Sequence, residues 1–353
     1  MNQSKNQRVK SYFYNMRYFH NVIKRDLYNK YTKNIENLLD LACGKGGDLD
    51  KWASNNIKNV IGYDINSASI KEAQRRVSNY RSPLKTNINL YVKDLSRNVI
   101  SNGNKNMDVI TSMFAFHYFF ESEDTFNVIM ETIENNLKDG GYFMGAMFDG
   151  DLIKELLTID NIYELKDKDD VKFKLQRYNE LTDSLFGNKI SVYLKDTVLD
   201  EPMDEYIVYF NKFVNEMKTR GFELVESTLF RDLYNEKYNL NDVEKKISFL
   251  NRTFVFKKVE VDILNYICKR ETDYLMECEW NEINFKKREI VDIYKENLNK
   301  KIERATSEEI KMIYIFTRDN FENAEEIIKD PSISNKIKKY IMIVYKLFLD
   351  DLH

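Results

Sequence analysis

The sequence predicts an α/β fold built on a doubly wound, mostly parallel sheet. Two observations carry that prediction. Short segments rich in Leu, Ile and Val alternate with helical segments from residue 37 to about 145. The first of these segments also runs into a glycine-rich turn that opens a helix. Short apolar strands separated by helices pair in parallel and carry helices on both faces.

The elements follow in order. Residues 1–34 form one or two basic helices bearing Tyr12, Phe13, Tyr18, Phe19, Val22 and Ile23. Residues 37–41 (NLLDL) are the first strand, followed by the turn and a helix over Leu49 to Asn55. The second strand spans 59–64 and its helix runs from Ser67 to about Tyr80. The third strand is read at 89–94, the fourth at 107–113, and a helix at 125–137. Gly140 and Gly141 turn the chain into a fifth strand. Beyond residue 150 the pattern loosens: strands are expected at 191–194, 222–229 and 252–258, with a helix from Tyr206 to Arg220 that ends at Gly221. Two domains are expected: a catalytic unit over 1–258 and a charged helical extension over 259–353.

Composition narrows the class. Hydrophobic residues make up 43% of 353, enough for a full core. The net charge of −3 argues against wholesale attraction to nucleic acid, so any RNA contact must come from a local patch. The three cysteines form no C-x-x-C pair, and three scattered histidines give no metal site. No apolar run reaches the ~20 residues of a membrane span. A soluble intracellular chain with no membrane partner is expected.

Ligands of such sheets bind at the carboxyl ends of the strands. Asp40 to Asp48 (DLACGKGGD) occupies the first strand end. Gly44 and Gly46 let the backbone turn sharply and approach a ligand, and the next helix offers free N–H groups. Asp64, at the second strand end, suits the two ribose hydroxyls of an adenosine, and Asp94, at the third, its adenine edge. A dinucleotide and S-adenosylmethionine both fit this outline. The turn lacks a full G-x-G-x-x-G, and Asp48 would repel a pyrophosphate, whereas a sulfonium would be attracted by Asp40 and Asp48. S-adenosylmethionine is therefore the expected cofactor. At the fourth strand end, Phe114 and Tyr118 are candidates to stack on a flat base, and His117 and Tyr118 to hydrogen-bond to it.

The motifs resemble the eukaryotic and viral mRNA cap guanine-N7 methyltransferases, over about residues 8–258. Their D-L-G-C-G-K-G-G-D-L-x-K-W corresponds to DLACGKGGDLDKW at 40–52, and their H-Y-x-F-E-S to HYFFES at 117–122. Their N-N-x-x-K matches residues 20–24 except that His20 replaces the first Asn. Their D-I-x-x-x-S-I matches 64–70, and E-[FY]-x-V-Y-F matches 205–210. The resemblance implies a class I, Rossmann-like methyltransferase that methylates N7 of the terminal guanine of a GpppN cap. It implies that Lys24, Gly44, Gly46, Asp64 and Asp94 hold the cofactor, Lys24 through the methionine carboxylate. Asn21, Lys45, Lys51 and Arg76 would face the cap sugar and phosphates. Phe114, His117, Tyr118 and Glu205 would form the guanine pocket, acting by positioning and electrostatics rather than as general acid or base.

Three positions depart from the family pattern. Ala42 stands for a Gly, Phe148 for a Pro after the fifth strand, and Asn251 for a cap-pocket Tyr on the late strand, with Phe249 nearby. The resemblance implies a capped mRNA 5′ end as partner. The extension lies outside the resemblance and is expected to be a helical appendage packed on the core, the alternative being a docking surface for an RNA triphosphatase–guanylyltransferase or stimulatory subunit anchored by Trp280, Tyr314 and Phe316. The expected location is the nucleus, or the cytoplasm for a viral protein. The competing readings are a class I methyltransferase with another substrate, a catalytically silent partner subunit, and an NAD-dependent oxidoreductase.

Overall fold

The computed structural model describes residues 11–81, 83–101, 106–197 and 201–259. The extension expected over 259–353, with Trp280, Tyr314 and Phe316, lies outside the described residues except for Val259. Among the described residues no helix is long and apolar enough to cross a membrane.

Helix α1 (Tyr14–Tyr31) precedes β1 (Asn37–Leu41), α2 (Leu49–Ser54), β2 (Asn59–Asp64), α3 (Ser67–Ser78) and β3 (Asn87–Val92). Then come β4 (Met107–Met113), a 3-10 turn (Phe116–Phe120), α4 (Glu123–Asn136) and β5 (Leu137–Phe148). The seven-stranded sheet has the order β10-β11-β5-β4-β1-β2-β3, where β10 is Phe222–Leu229 and β11 is Asn251–Lys258. Strands β1 to β5 pair in parallel, and β11 runs antiparallel to both β5 and β10. The chain moves outward through β2 and β3 on one side of β1 and through β4 and β5 on the other. The crevice at that reversal is where such sheets take ligands.

Local sequence explains the helix starts. Asn66 caps α3 by accepting from Ser69 N at 2.9 Å, and Ser122 caps α4 by accepting from Thr125 N at 3.2 Å. Both sheet faces are covered. Phe116, Phe120, Phe126, Phe143, Phe213 and Phe254 pack on one side, and Tyr28, Trp52, Val60 and Leu90 on the other. Each buried ring of this size contributes about 2–3 kcal/mol, so these two layers dominate the stability.

Between β5 and β10 the chain adds α5 (Gly150–Ile159), β6 (Ile162–Asp167), β7 (Asp170–Arg177), β8 (Lys189–Leu194), β9 (Met203–Tyr206) and α6 (Phe210–Thr219). Strands β6 to β9 form a second, antiparallel sheet in sequence order. This differs from the sequence expectation, which began a helix at Tyr206; the helix starts at Phe210, because residues 203–206 are held as the edge strand by β8. The third strand ends at Val92 rather than Asp94, since its pairing with β2 stops at Asp64. The short α7 (Asp242–Ser248) opens with a capping box between Asn241 and Glu244.

Candidate active site

The glycine turn follows β1. Gly44 and Gly46 have φ of +54° and +66°, which glycine adopts without a Cβ penalty. A Cβ built on Gly44 would meet nothing within 4 Å, so the turn faces open space there. Ala42 also has φ +59°. The Gly-to-Ala departure therefore carries left-handed strain, which a negative φ would have avoided.

Asp64, at the end of β2, accepts from Gly44 N and Asn66 N, both at 2.8 Å. Its carboxylate thus borders the same open space as the turn. Asp94 lies two residues beyond β3 and accepts from Ser96 N at 3.0 Å and Ser96 Oγ at 2.6 Å, a local turn. Lys45 stands half-buried on the glycine turn.

Helix α1 brings the remaining cations. Residues 20, 24 and 28 recur every four positions and share one helix face. Lys24 Nζ meets Asp48 Oδ1 at 2.6 Å, and Lys51 Nζ meets the same oxygen at 2.8 Å. Lys51 also donates to Asn21 Oδ1 at 3.1 Å. Lys51 and Asp48 are buried. Burial pushes the Asp48 carboxyl up, but Lys24 and Lys51 outweigh that and hold it below the usual carboxylate range. Burial, then the neighbouring Asp48, pushes Asp40 well above that range.

This corrects the charge argument drawn from the turn. Asp48 is not a free anion for a sulfonium, because two lysines neutralise it. Burial disfavours the charged form of Asp40 as well. Two lysines against the single Asp48 carboxylate suit a ligand carboxylate. Arg76, on α3, is tied to Glu72 at 2.9 Å. Hydrogen bonds from Arg75 and Arg76 pull the Glu72 carboxyl down to about 2.

The aromatic run after β4 divides in two. Phe116, Phe119 and Phe120 are buried core. Phe114 is half-buried with φ +59°, held by its N–H donating to Ala146 O at 2.7 Å. His117 and Tyr118, on the 3-10 turn, meet Glu205 of β9. Strand alternation sends Asp204 outward to Tyr178 Oη at 2.7 Å and Glu205 inward, where it is 3% exposed. Gly187 N donates to Phe120 O at 3.0 Å, fixing the second sheet to the turn.

His117 Nε2 stands 3.3 Å from Glu205 Oε2, and His117 is 5% exposed. Neither ring nitrogen of His117 makes an aligned hydrogen bond among the described residues. Tyr118 hydrogen-bonds Glu205, and burial, followed by Glu205 and Asp64, pushes its phenol up, so it keeps its proton. A buried polar group without an aligned partner is a candidate contact for a ligand.

Asn251 does not line this pocket. It is 2% exposed, and its Nδ2 donates to Ile247 O at 2.9 Å and Ser248 O at 3.2 Å, closing the end of α7. Phe249 packs edge-on against Tyr234. Sequence reasoning did not assign two residues found here. His20 stacks on Phe114 with centroids 5.4 Å apart and 17° between planes. Ser248 Oγ lies 2.9 Å from His20 Nε2. The signals for His20 were its place in the N-N-x-x-K match, where it replaces the first Asn, and its four-residue spacing from Lys24.

Comparison with known proteins agrees with the motifs. The model of the mRNA (guanine-N7)-methyltransferase domain matches residues 1–315. The mRNA cap guanine-N7 methyltransferase of Candida albicans is 30% identical over 293 residues, covering 72% of this chain and 60% of the relative. That of Saccharomyces cerevisiae is 30% identical over 241 residues, covering 62% and 53%. A probable mRNA-capping enzyme of Acanthamoeba polyphaga mimivirus is 26% identical over 278 residues, covering 65% and 24%. The chain thus spans less than two thirds of the length of each of these relatives. The glycine turn and the motifs that carried the resemblance lie within that match, which covers most of the chain and places it in the mRNA (guanine-N7)-methyltransferase family.

Proposed function

We propose that this chain transfers the methyl group of S-adenosylmethionine to N7 of the terminal guanine of a 5′-capped RNA. The observation that carries this reading is the buried His117–Glu205 contact, with neither imidazole nitrogen in an aligned hydrogen bond among the described residues and Tyr118 alongside. Guanine offers the complementary edge: N1–H and the 2-amino group donate to Glu205, and O6 accepts from His117 or Tyr118.

The cofactor side fits S-adenosylmethionine. Asp64 beside the open space at Gly44 suits the ribose, with Asp94 near the adenine edge, and the Lys24–Asp48–Lys51 cluster suits the methionine carboxylate. When bound, S-adenosylmethionine supplies a methyl group on a positively charged sulfur. The guanine N7 lone pair is already free, so this chain needs no general base. Its residues act by orientation and electrostatics. Phe114 and Tyr118 fix the base plane, and Lys45 and Arg76 serve the cap phosphates with Asn21. The purine gains positive charge as N7 is methylated, and the buried Glu205 carboxylate stabilises it.

The partners follow the same reading: the capped 5′ end of an mRNA, and another capping component such as a triphosphatase–guanylyltransferase or stimulatory subunit. The experiment is to incubate the chain with GpppG-capped RNA and methyl-labelled S-adenosylmethionine, digest the RNA, and identify the labelled base. Label in 7-methylguanine supports the reading. Label on another base, or none, contradicts it.

A further inference from the structure

The pocket carboxylate and the pocket imidazole come from different sheets. His117 stands on the turn that follows β4 of the parallel sheet, whereas Glu205 stands on β9 of the second sheet. Strand β9 is an edge strand of four residues that pairs with β8 alone. The 3.3 Å between His117 Nε2 and Glu205 Oε2 therefore depends on what holds β9 against the parallel sheet.

The chain directly after Glu205 is held from the ends of β5 and β11. Gly150 N, at the start of α5, donates to Val208 O at 3.1 Å. A Cβ built on Gly150 would lie 2.2 Å from that oxygen, so a glycine is needed for the approach. Phe210 N donates to the Asp151 carboxylate. Arg252, near the start of β11, lays its guanidinium 3.6 Å from the centre of the Phe210 ring. Its Nε stands 2.9 Å from Asp149 Oδ2, an ion pair rather than an aligned hydrogen bond. Asp149 is itself fixed: its N–H donates to Leu250 O at 2.7 Å, and its Oδ1 accepts from Leu152 N at 3.0 Å. Asp149, Val208 and Phe210 are buried. A buried ion pair contributes little net stability, because desolvation offsets the attraction, but it ties its two partners to one geometry. Arginine suits this position, since its planar head stacks on a ring while its edge faces a carboxylate.

We infer that Arg252 is a positioning residue of the guanine pocket: by joining Asp149 to the face of Phe210 it holds the segment that follows β9, and so sets Glu205 against His117. This rests on the cap-methylation reading above. The effect of Arg252 on methylation passes through Glu205, so it exists only while that carboxylate is present.

The test is a double-mutant cycle. It measures kcat/KM on GpppG-capped RNA, and the Kd of S-adenosylmethionine by calorimetry, for the wild type, Arg252→Met, Glu205→Ala and the double variant. Arg252→Met keeps the stem and removes the charge. It should lower kcat/KM about ten-fold, the scale of a misplacement of less than about 1 Å, and leave the cofactor Kd within about two-fold. In the Glu205→Ala background the same substitution should cost less than about two-fold, because the group it positions is gone. Arg252→Lys keeps the charge but not the plane and should lose about three-fold. If Arg252→Met does not fold, Arg252→Lys, alone and combined with Glu205→Ala, carries the cycle. An unchanged kcat/KM in Arg252→Met overturns the inference. So does an equal loss in both backgrounds, which would make the role of Arg252 structural only, or a cofactor Kd that rises in step with the loss. A wild type that methylates no capped RNA overturns the cap-methylation reading and this inference together, whereas an active wild type with additive losses overturns this inference alone.

Discussion

The two sides of the crevice differ in how their polar groups stand without ligand. On the glycine-turn side, Asp48 already holds Lys24 and Lys51. On the opposite side, His117 Nε2 stands 3.3 Å from Glu205 Oε2, one longer contact in place of two short ones. On the first side a ligand carboxylate must share lysines that already have a partner. On the second, under the proposed function, a base edge adds hydrogen bonds that the longer contact leaves to it. The physical consequence is a division of labour. Charges on the turn side contribute to stability as well as binding, whereas those on the pocket side contribute mainly to recognition.

The largest effect expected from this contrast is at Asp48. Asp48→Ala leaves two largely buried ammonium groups facing each other and should cost about 3–5 kcal/mol of stability, measured by urea unfolding at pH 7. A loss below about 1 kcal/mol would show that the lysines find other partners, and the contrast would fail.

The pH dependence of stability is the next largest. The folded-state titration of His20 is depressed from 6.5 to about 3. Below pH 6.5 the unfolded chain binds a proton that the folded chain refuses. The contribution is therefore fully present above 6.5 and is lost as pH falls toward 3. Between pH 6.5 and pH 5 this amounts to about 2 kcal/mol, at 1.4 kcal/mol per pH unit. Unfolding curves of His20→Phe over the same range should lack this component. An identical slope in both proteins would assign the loss to other groups.

A smaller effect is expected at the turn. Ala42 sits at φ +59°, so Ala42→Gly should relieve about 1–2 kcal/mol of strain, less the added freedom of the unfolded chain. The net gain should be about 0.5–1 kcal/mol in the unfolding midpoint analysis. A destabilised variant would mean that the methyl packs usefully.

Much of the parallel sheet could be read from the sequence, because buried strands such as 37–41 and 107–113 are nearly continuous apolar runs. The second sheet was harder. Strand β6 buries only Leu165, and β9 carries Asp204 and Glu205 with a single residue buried, so neither shows the expected alternation of apolar side chains. At Glu205 a carboxylate occupies the core-facing position of β9, so the hydrophobic pattern is missing there. The ionic arrangement was also illegible. Asp40 and Asp48 read as anions for a sulfonium, but their states depend on burial and on Lys24, which is distant in sequence. Left-handed backbone at Phe114 gave no signal, since it is neither glycine nor asparagine, and at Ala42 the one hint was the family's Gly. The motif resemblance named His117, Tyr118 and Glu205, which the fold brings into contact, while the contact of His20 with Ser248 spans 228 residues and emerges only from the fold.

The central claim is that the His117–Glu205 pocket receives the cap guanine. Glu205→Ala, assayed with GpppG-capped RNA and labelled S-adenosylmethionine, tests it most directly. The account predicts a fall of about 100-fold in 7-methylguanine formation, with the cofactor Kd within about two-fold of wild type. Wild-type methylation by Glu205→Ala would contradict it.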